Sequence, residues 1–297
     1  MNILPRDKQI QIIAALTEGM SIRATERLTG VHRDTIMRLG ARVGVGCRNL
    51  HDRTMHSLRV GRLELDELWA YVGCKQKNVS RKDVPVKGDQ YTFIALASTA
   101  RAIVSYRTGK RDTTNTLEFV HDLRERVLGV PEISTDGFHP YKLAIRDAFR
   151  NSAHGVIVKT YSVINLAKDA VTRYSPAAVV AVARDVMQGV PAEISTSYVE
   201  RQNLSMRMAS RRFTRLTNGF SKKLEHHEAA VSLYVAHYNL CRVHEAHGNM
   251  TPAMALGITD HVWSLGELIN AALAQVPPDL GRRNKKPSLR VIDGGKA

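Results

Sequence analysis

A chain of 297 residues with 43% hydrophobic content can bury one large domain plus a small one, or two ordinary domains, which excludes disorder as its ground state. Its formal charge of +15 selects a polyanion as partner, because such a surface attracts phosphates before any specific contact forms. Cys47, Cys74 and Cys241 are scattered, which argues against a zinc ribbon or a disulfide framework and fits a reducing cytoplasm. No apolar run approaches the roughly 18 residues of a membrane span, and Met1-Asn2-Ile3-Leu4-Pro5 is no signal-peptide start, so a soluble intracellular protein is expected.

Residues 5 to about 45 read as three short helices. Pro5 suits a first helical position, and Ile10, Ile13, Ala14 and Leu16 form an apolar face that Glu18-Gly19 ends. Ser21 caps a second helix closed by Thr29-Gly30, and Val31 to Leu39 starts a third. Short helices with glycine between them make the helix-turn-helix pattern, whose last helix meets base edges with polar side chains near its N-terminus. Those side chains would be His32, Arg33, Thr35 and Arg38. A three-helix packing unit with solvent-facing polar residues has the same pattern. Segment 1–46 is expected to be an all-α DNA-binding domain, and the polar, aperiodic segment 47–60 a linker.

From residue 62 the period becomes that of strands. The first runs from Arg62 to Asp66 and on to Val72; a basic loop, Lys75 to Lys87, precedes Tyr91–Ala97; a turn at 98–101 leads to Ala102–Arg107. A helix fits Thr114–Leu128, a fourth strand ends at Asp136, Tyr141–Phe149 is helical, and Gly155–Thr160 is a fifth strand. After a variable region comes a helix, Tyr198–Thr214. The order β-β-β-α-β-α-β-α is that of the ribonuclease H fold, an α/β mixed sheet flanked by helices. The expected domain spans 61–223, followed by a helical extension over 224–276 and a basic tail over 277–297.

Three carboxylates stand out. Asp66 ends the alternating run of the first strand, Asp136 follows the fourth, and Glu200 opens an arginine-studded helix after the fifth. In the ribonuclease H order the first and fourth strands are neighbours, so acids at their carboxyl ends meet. Converging carboxylates can hold Mg²⁺, with water and phosphate oxygens completing the octahedron. Two such ions roughly 4 Å apart drive an in-line phosphoryl displacement. Each acid also has a plain reading. Asp66 could pair with Arg62 or Lys75, with Glu64 or Glu67 as the functional neighbour. Asp136-Gly137 is a turn dipeptide, and Ser197-x-x-Glu200 is a formal capping box. The plain readings taken singly do not account for all three placements together.

Asn203, Arg207 and Arg211 fall on or near the Glu200 face of this helix, and Arg201, Arg212, Arg215, Lys222 and Lys223 add charge around it. One glutamate cannot neutralise that excess, whereas a phosphate backbone can. Lys159 at the end of the fifth strand is a further phosphate contact, and Asn203 a candidate for holding a phosphate or a metal-bound water.

Leu65-Asp66-Glu67-Leu68-Trp69, Thr135 to Tyr141 and Val199-Glu200-Arg201-Gln202-Asn203 resemble the three acidic blocks of bacterial insertion-sequence DDE transposases, of the insertion-sequence-one type. Gly219 to Lys222, Tyr238 to His244 and Thr251-Pro252-Ala253 are similar to that family's C-terminal blocks. The resemblance covers about residues 60 to 258 and implies Mg²⁺-dependent cleavage at the ends of a mobile element, with Mn²⁺ as a substitute ion. A freed 3′-hydroxyl would then attack target DNA, with Asp66, Asp136 and Glu200 as the metal-binding triad. It further implies terminal inverted repeats and target DNA as partners, a homo-oligomer that pairs the ends, and a cytoplasmic, nucleoid-associated location. Two departures stand: the Cys-rich zinc element of some relatives is missing, and the basic tail has no counterpart. A DNA-binding regulator that has lost the reaction is the alternative, and a stand-alone ribonuclease H-like nuclease a third reading, disfavoured by the helix-turn-helix pattern.

Overall fold

The computed structural model describes residues 4–81, 83–161, 179–214 and 218–277. The chain opens with α1 (Arg6–Thr17), α2 (Ile22–Thr29) and α3 (Arg33–Thr54). Strands β1 (Leu58–Arg59), β2 (Arg62–Val72), β3 (Gly88–Ala97) and β4 (Ala102–Gly109) lead to α4 (Thr113–Arg126). Then come β5 (Val127–Leu128), β6 (Glu132–Asp136), α5 (Pro140–Ala148), β7 (His154–Tyr161) and β8 (Val179–Gln188). The described chain closes with α6 (Ser197–Ala209), α7 (Leu224–Leu240), α8 (Pro252–Ala255) and α9 (Leu265–Ala274).

Six strands form one mixed sheet in the order β4-β3-β2-β6-β7-β8. The first three are antiparallel neighbours, while β6 runs parallel to β2 and β7 parallel to β6. This order, with helices on both faces, is compatible with a ribonuclease H-like fold. Alternation along β2 explains the layering. Leu63 and Leu65 point to one face, with Phe93, Ala95 and Ile133, and meet Phe119 and Leu123 of α4 and Tyr141 and Ile145 of α5. Leu68 and Ala70 point to the other, with Ile94, Leu96 and Ile103, and meet α6 and α7 through Val199, Met206, Val231 and Val235. Burying each large apolar side chain contributes about 1.5–3 kcal/mol, so both faces are strongly specified.

The edge strand β4 is closed off by helices rather than left as a template for pairing. Asn239 of α7 accepts from the Ile103 N–H at 3.0 Å and donates to its carbonyl at 2.8 Å. His51 of α3 hydrogen-bonds the Val104 carbonyl at 3.0 Å, and its burial lowers the imidazole pKa to about 3.

The N-terminal and C-terminal helices share one core, in which Ile13, Val43, Cys47 and Leu50 pack with Leu233, Leu240, Leu268 and Ile269. Here the structure departs from the expected linker: α3 continues through residues 47–54, because Val43, Cys47 and Leu50 recur at helical spacing and are buried. The boundary at 46/47 therefore falls inside a helix. Two further differences concern the site. Helix α6 ends at Ala209, not Thr214, where Ser210 turns extended. The variable region contains β8, antiparallel to β7. The basic tail, from residue 278, and Arg215 lie outside the described residues.

Candidate active site

The register of two parallel strands creates the site. Pairing of β2 with β6 stops at Leu65 opposite Thr135, and the next residue on each strand is Asp66 and Asp136. Beyond that point β2 continues beside β3 alone on this side, which leaves a notch at the end of β6. Consecutive strand residues normally diverge to opposite faces. At the notch they do not stay apart: oxygens of Asp66, Glu67 and Asp136 all lie within 4.8 Å of one another.

Each carboxylate has few protein donors. Asp66 accepts from the Glu67 N–H at 2.8 Å and from Asn203 Nδ2 at 2.7 Å. Asp136 accepts from the Phe138 N–H at 2.9 Å, so the turn reading of Asp136-Gly137 holds for one oxygen. Its other oxygen and Glu67 Oε2 are bridged by Arg111, at 3.4 and 2.9 Å, and that guanidinium stacks on Phe138 with 3.8 Å to the ring centroid. Burial, then the neighbouring charges of Glu67, Asp136 and Glu200, push the Asp66 carboxyl up to about 7. Burial and Asp136 raise Glu67 as well. The ion pairs considered for Asp66 are not formed, since Arg62 instead contacts Glu132 and Glu193.

Glu200 stands apart from the three-acid group. Its Oε1 accepts from Thr196 Oγ1 at 2.6 Å and is ion-paired with Lys159 of β7. The capping box expected at Ser197 is absent, because Thr196 is the N-cap residue and Glu200 reaches its hydroxyl rather than its backbone. The α6 N-terminus is instead held by Glu64, whose Oε2 accepts from the N–H groups of Tyr198 and Val199. Thus β2 supplies both the acid at the site and the anchor for the helix that brings Glu200 and Asn203 to it.

The sequence-predicted DNA contacts divide into groups. Asn203 faces Asp66, Arg207 is half-buried on α6, and Arg201 is exposed. Early termination of α6 carries Arg211 off the Glu200 face. It lines a cleft of about 1330 Å³ between α2, α3 and the start of α7, with Arg23, Arg33, Arg38, Lys222 and Lys223 also on its walls. His32 and Arg33 are exposed at the start of α3, where the His32 ring caps the helix and Arg38 reaches Thr35 at 3.4 Å.

The donor set suits a hard divalent cation: mutually close carboxylate oxygens and no sulfur. Glu67 Oε1 and Asn203 Oδ1 are buried with no hydrogen-bond partner. A bound ion would satisfy such oxygens and offset the burial and neighbouring charges that raise Asp66.

No protein-family model and no curated protein matches the chain. Among solved structures, a cryo-EM piggyBac transposase synaptic complex with hairpin DNA is similar over 96% of this chain and 73% of that chain, at 12% identity and a TM-score of 0.36. A likeness at that level assigns no residue a role.

Proposed function

We propose that the chain is a divalent-metal-dependent DNA transposase, cleaving phosphodiester bonds at element ends and joining the 3′-hydroxyl ends to target DNA. The observation that carries this reading is the closeness of Asp66 and Asp136, each one residue past the last β2–β6 pair, with Asn203 of α6 on the Asp66 carboxylate and Glu200 one turn before Asn203. Asp66, Asp136 and Glu200 are the ligands in this proposal, and Mg²⁺, or Mn²⁺ in its place, supplies Lewis-acid activation of the nucleophile and the leaving oxygen. Asn203 orients Asp66. Lys159, Arg201, Arg207 and Arg211 meet phosphates along and beyond α6. The α2–α3 pair acts as the reading unit, with His32, Arg33, Thr35 and Arg38 toward the major groove. The basic cleft between that unit and the end of α6 gives the DNA a path of favourable potential from recognition to chemistry. A homo-oligomer pairs the two ends, in the bacterial cytoplasm.

A DNA-binding regulator without chemistry is the competing reading, favoured by the Lys159–Glu200 and Arg111–Asp136 ion pairs, which neutralise two of the three acids within the protein. The orphaned oxygens of Glu67 and Asn203 weigh against it. The test uses a supercoiled plasmid carrying the reading frame with its flanking DNA. The full chain should nick it in Mg²⁺, and Asp136→Asn should abolish cleavage while binding to the flanks stays nearly intact. Normal cutting by that variant removes the reading.

A further inference from the structure

We infer that Glu67 is a ligand of the divalent ion, a fourth carboxylate beside Asp66, Asp136 and Glu200, and that Arg111 competes with the ion for it. The inference rests on the metal reading above and names a residue that reading does not include. Two independent features place it. The first is distance: the three mutually close carboxylates are Asp66, Glu67 and Asp136, all within 4.8 Å, a separation that two ligands on one Mg²⁺ approach with a small shift. Glu200 is outside that group, engaged by Thr196 and Lys159.

The second is the state of the buried oxygens. The Glu67 side chain is 2% exposed, and its Oε1 has no hydrogen-bond partner. The buried Tyr141 hydroxyl lies against Glu67 and favours its charged form, without an aligned hydrogen bond to it. A buried carboxylate oxygen without a donor is costly unless something cationic reaches it. Asn203, 5% exposed, donates to Asp66 and leaves its own Oδ1 without a partner. A hard cation among the Asp66, Glu67 and Asp136 oxygens would satisfy the Glu67 oxygen and balance the three charges together.

Arg111 supplies one positive charge to this group, spanning Glu67 and Asp136 through different nitrogens. It sits on the loop between β4 and α4 and is partly exposed, so it can withdraw from the carboxylates without unpacking the core. Phe138 offers the guanidinium a face to rest on beside the site. Its release leaves the arginine at the rim, where a scissile phosphate would lie.

The experiment is Mn²⁺ binding to the full chain followed by electron paramagnetic resonance at one fixed pH, with no DNA present. Glu67→Gln should weaken Mn²⁺ binding at least about tenfold, as loss of a ligand or its close support does. Arg111→Gln should tighten it severalfold, and that opposite sign is the readout a merely structural ion pair would not give. If Glu67→Gln binds Mn²⁺ like the parent while Asp66→Asn loses it, Glu67 is only the counter-ion of Arg111; the inference is then overturned and the Asp66, Asp136, Glu200 site survives. If Asp66→Asn also binds normally, the metal reading itself fails. Should Glu67→Gln not fold by circular dichroism, the double variant Glu67→Gln, Arg111→Gln replaces it, and Mn²⁺ binding as tight as that of Arg111→Gln alone overturns the inference.

Discussion

Glu64 and Val199 are joined by a buried hydrogen bond, the carboxylate Oε2 accepting the helix N–H at 3.0 Å and the neighbouring Tyr198 N–H at 2.8 Å. These are two of the backbone donors that a helix start leaves unpaired, and Val199 is fully buried. Burial raises the Glu64 pKa, while the two backbone donors and Ser98 pull it back. Glu64→Ala should therefore cost about 2–4 kcal/mol in urea denaturation, because it orphans both donors. Glu64→Gln, which keeps an acceptor oxygen in place, should cost markedly less. Cleavage should follow the same ranking, since α6 carries Glu200 and Asn203. Equal stability of the alanine variant and the parent would show that α6 is held by packing alone.

A second consequence concerns recognition. Arg33 is exposed at the start of α3 and borders the basic cleft, whereas His32 also caps the helix by accepting the Asp34 N–H. Arg33→Ala is thus the cleaner variant, because removing His32 also removes a cap. Fluorescence anisotropy at fixed salt should show weaker binding to the flanking ends by about 1–3 kcal/mol, with a smaller loss on scrambled DNA. Phosphate contacts position a protein on any sequence, so equal losses on both DNAs would make Arg33 a backbone contact and remove α3 as the reader.

Particular residues show which parts of this arrangement were legible in the sequence. Asp66 and Asp136 stood at the ends of alternating runs, and the strand order brings such ends together, so their meeting needed only topology. Glu67 was named as a possible functional neighbour, but strand alternation points it away from Asp66. Its approach depends on β2 running on past the end of β6, a relation between two strands that neither segment shows by itself. Arg111 sits in a loop of ordinary basic composition and carries no signal until Glu67 and Asp136 are seen beside it. The length of α3 is hidden by the polar, Arg- and His-rich run after residue 46, although Val43, Cys47 and Leu50 keep the helical period. The valines of β8 carry a strand signal, but the strand is exposed along most of its length and so shows no alternation of buried and exposed residues.

The crowded acids make stability depend on pH in a defined direction. Asp66 has an ordinary pKa of 3.8 and about 7 in the folded chain. Between those values the folded state binds more protons than the unfolded one, so stability of the metal-free protein falls as pH rises from about 4 to about 7 and is level above that. Asp66→Asn removes the penalty. Each tenfold in acidity is worth about 1.4 kcal/mol, which caps the gain at about 4 kcal/mol at pH 8 and leaves little at pH 4. Thermal denaturation in a chelator at both pH values reads this directly. A variant that gains the same at both, or loses at pH 8, would show that burying an ionised Asp66 among these acids is not what costs the folded state.

The last expectation tests how α3 is tied to the rest. A methyl group on Gly44 would lie 2.1 Å from the Ala229 carbonyl oxygen, and one on Gly46 2.1 Å from that of Ala272. Both contacts are with backbone, of α7 and α9, so neither can be relieved by turning a side chain. Gly to Ala in an open helix gains about 1 kcal/mol. Here the helices would have to separate, and Gly44→Ala and Gly46→Ala should each lose about 1–3 kcal/mol in urea denaturation. Gly40→Ala is the control on the same helix: its nearest neighbour is the flexible end of Leu16 at 3.1 Å, so it should be neutral or stabilising. Because α7 also packs against the sheet face that carries Asp66, loosening the α3–α7 crossing should uncouple end recognition from cleavage. Gly44→Ala would then bind DNA while cutting it poorly. If all three alanine variants behave alike, the close approach of α3 to its partners is not what holds the two helical ends of the chain together.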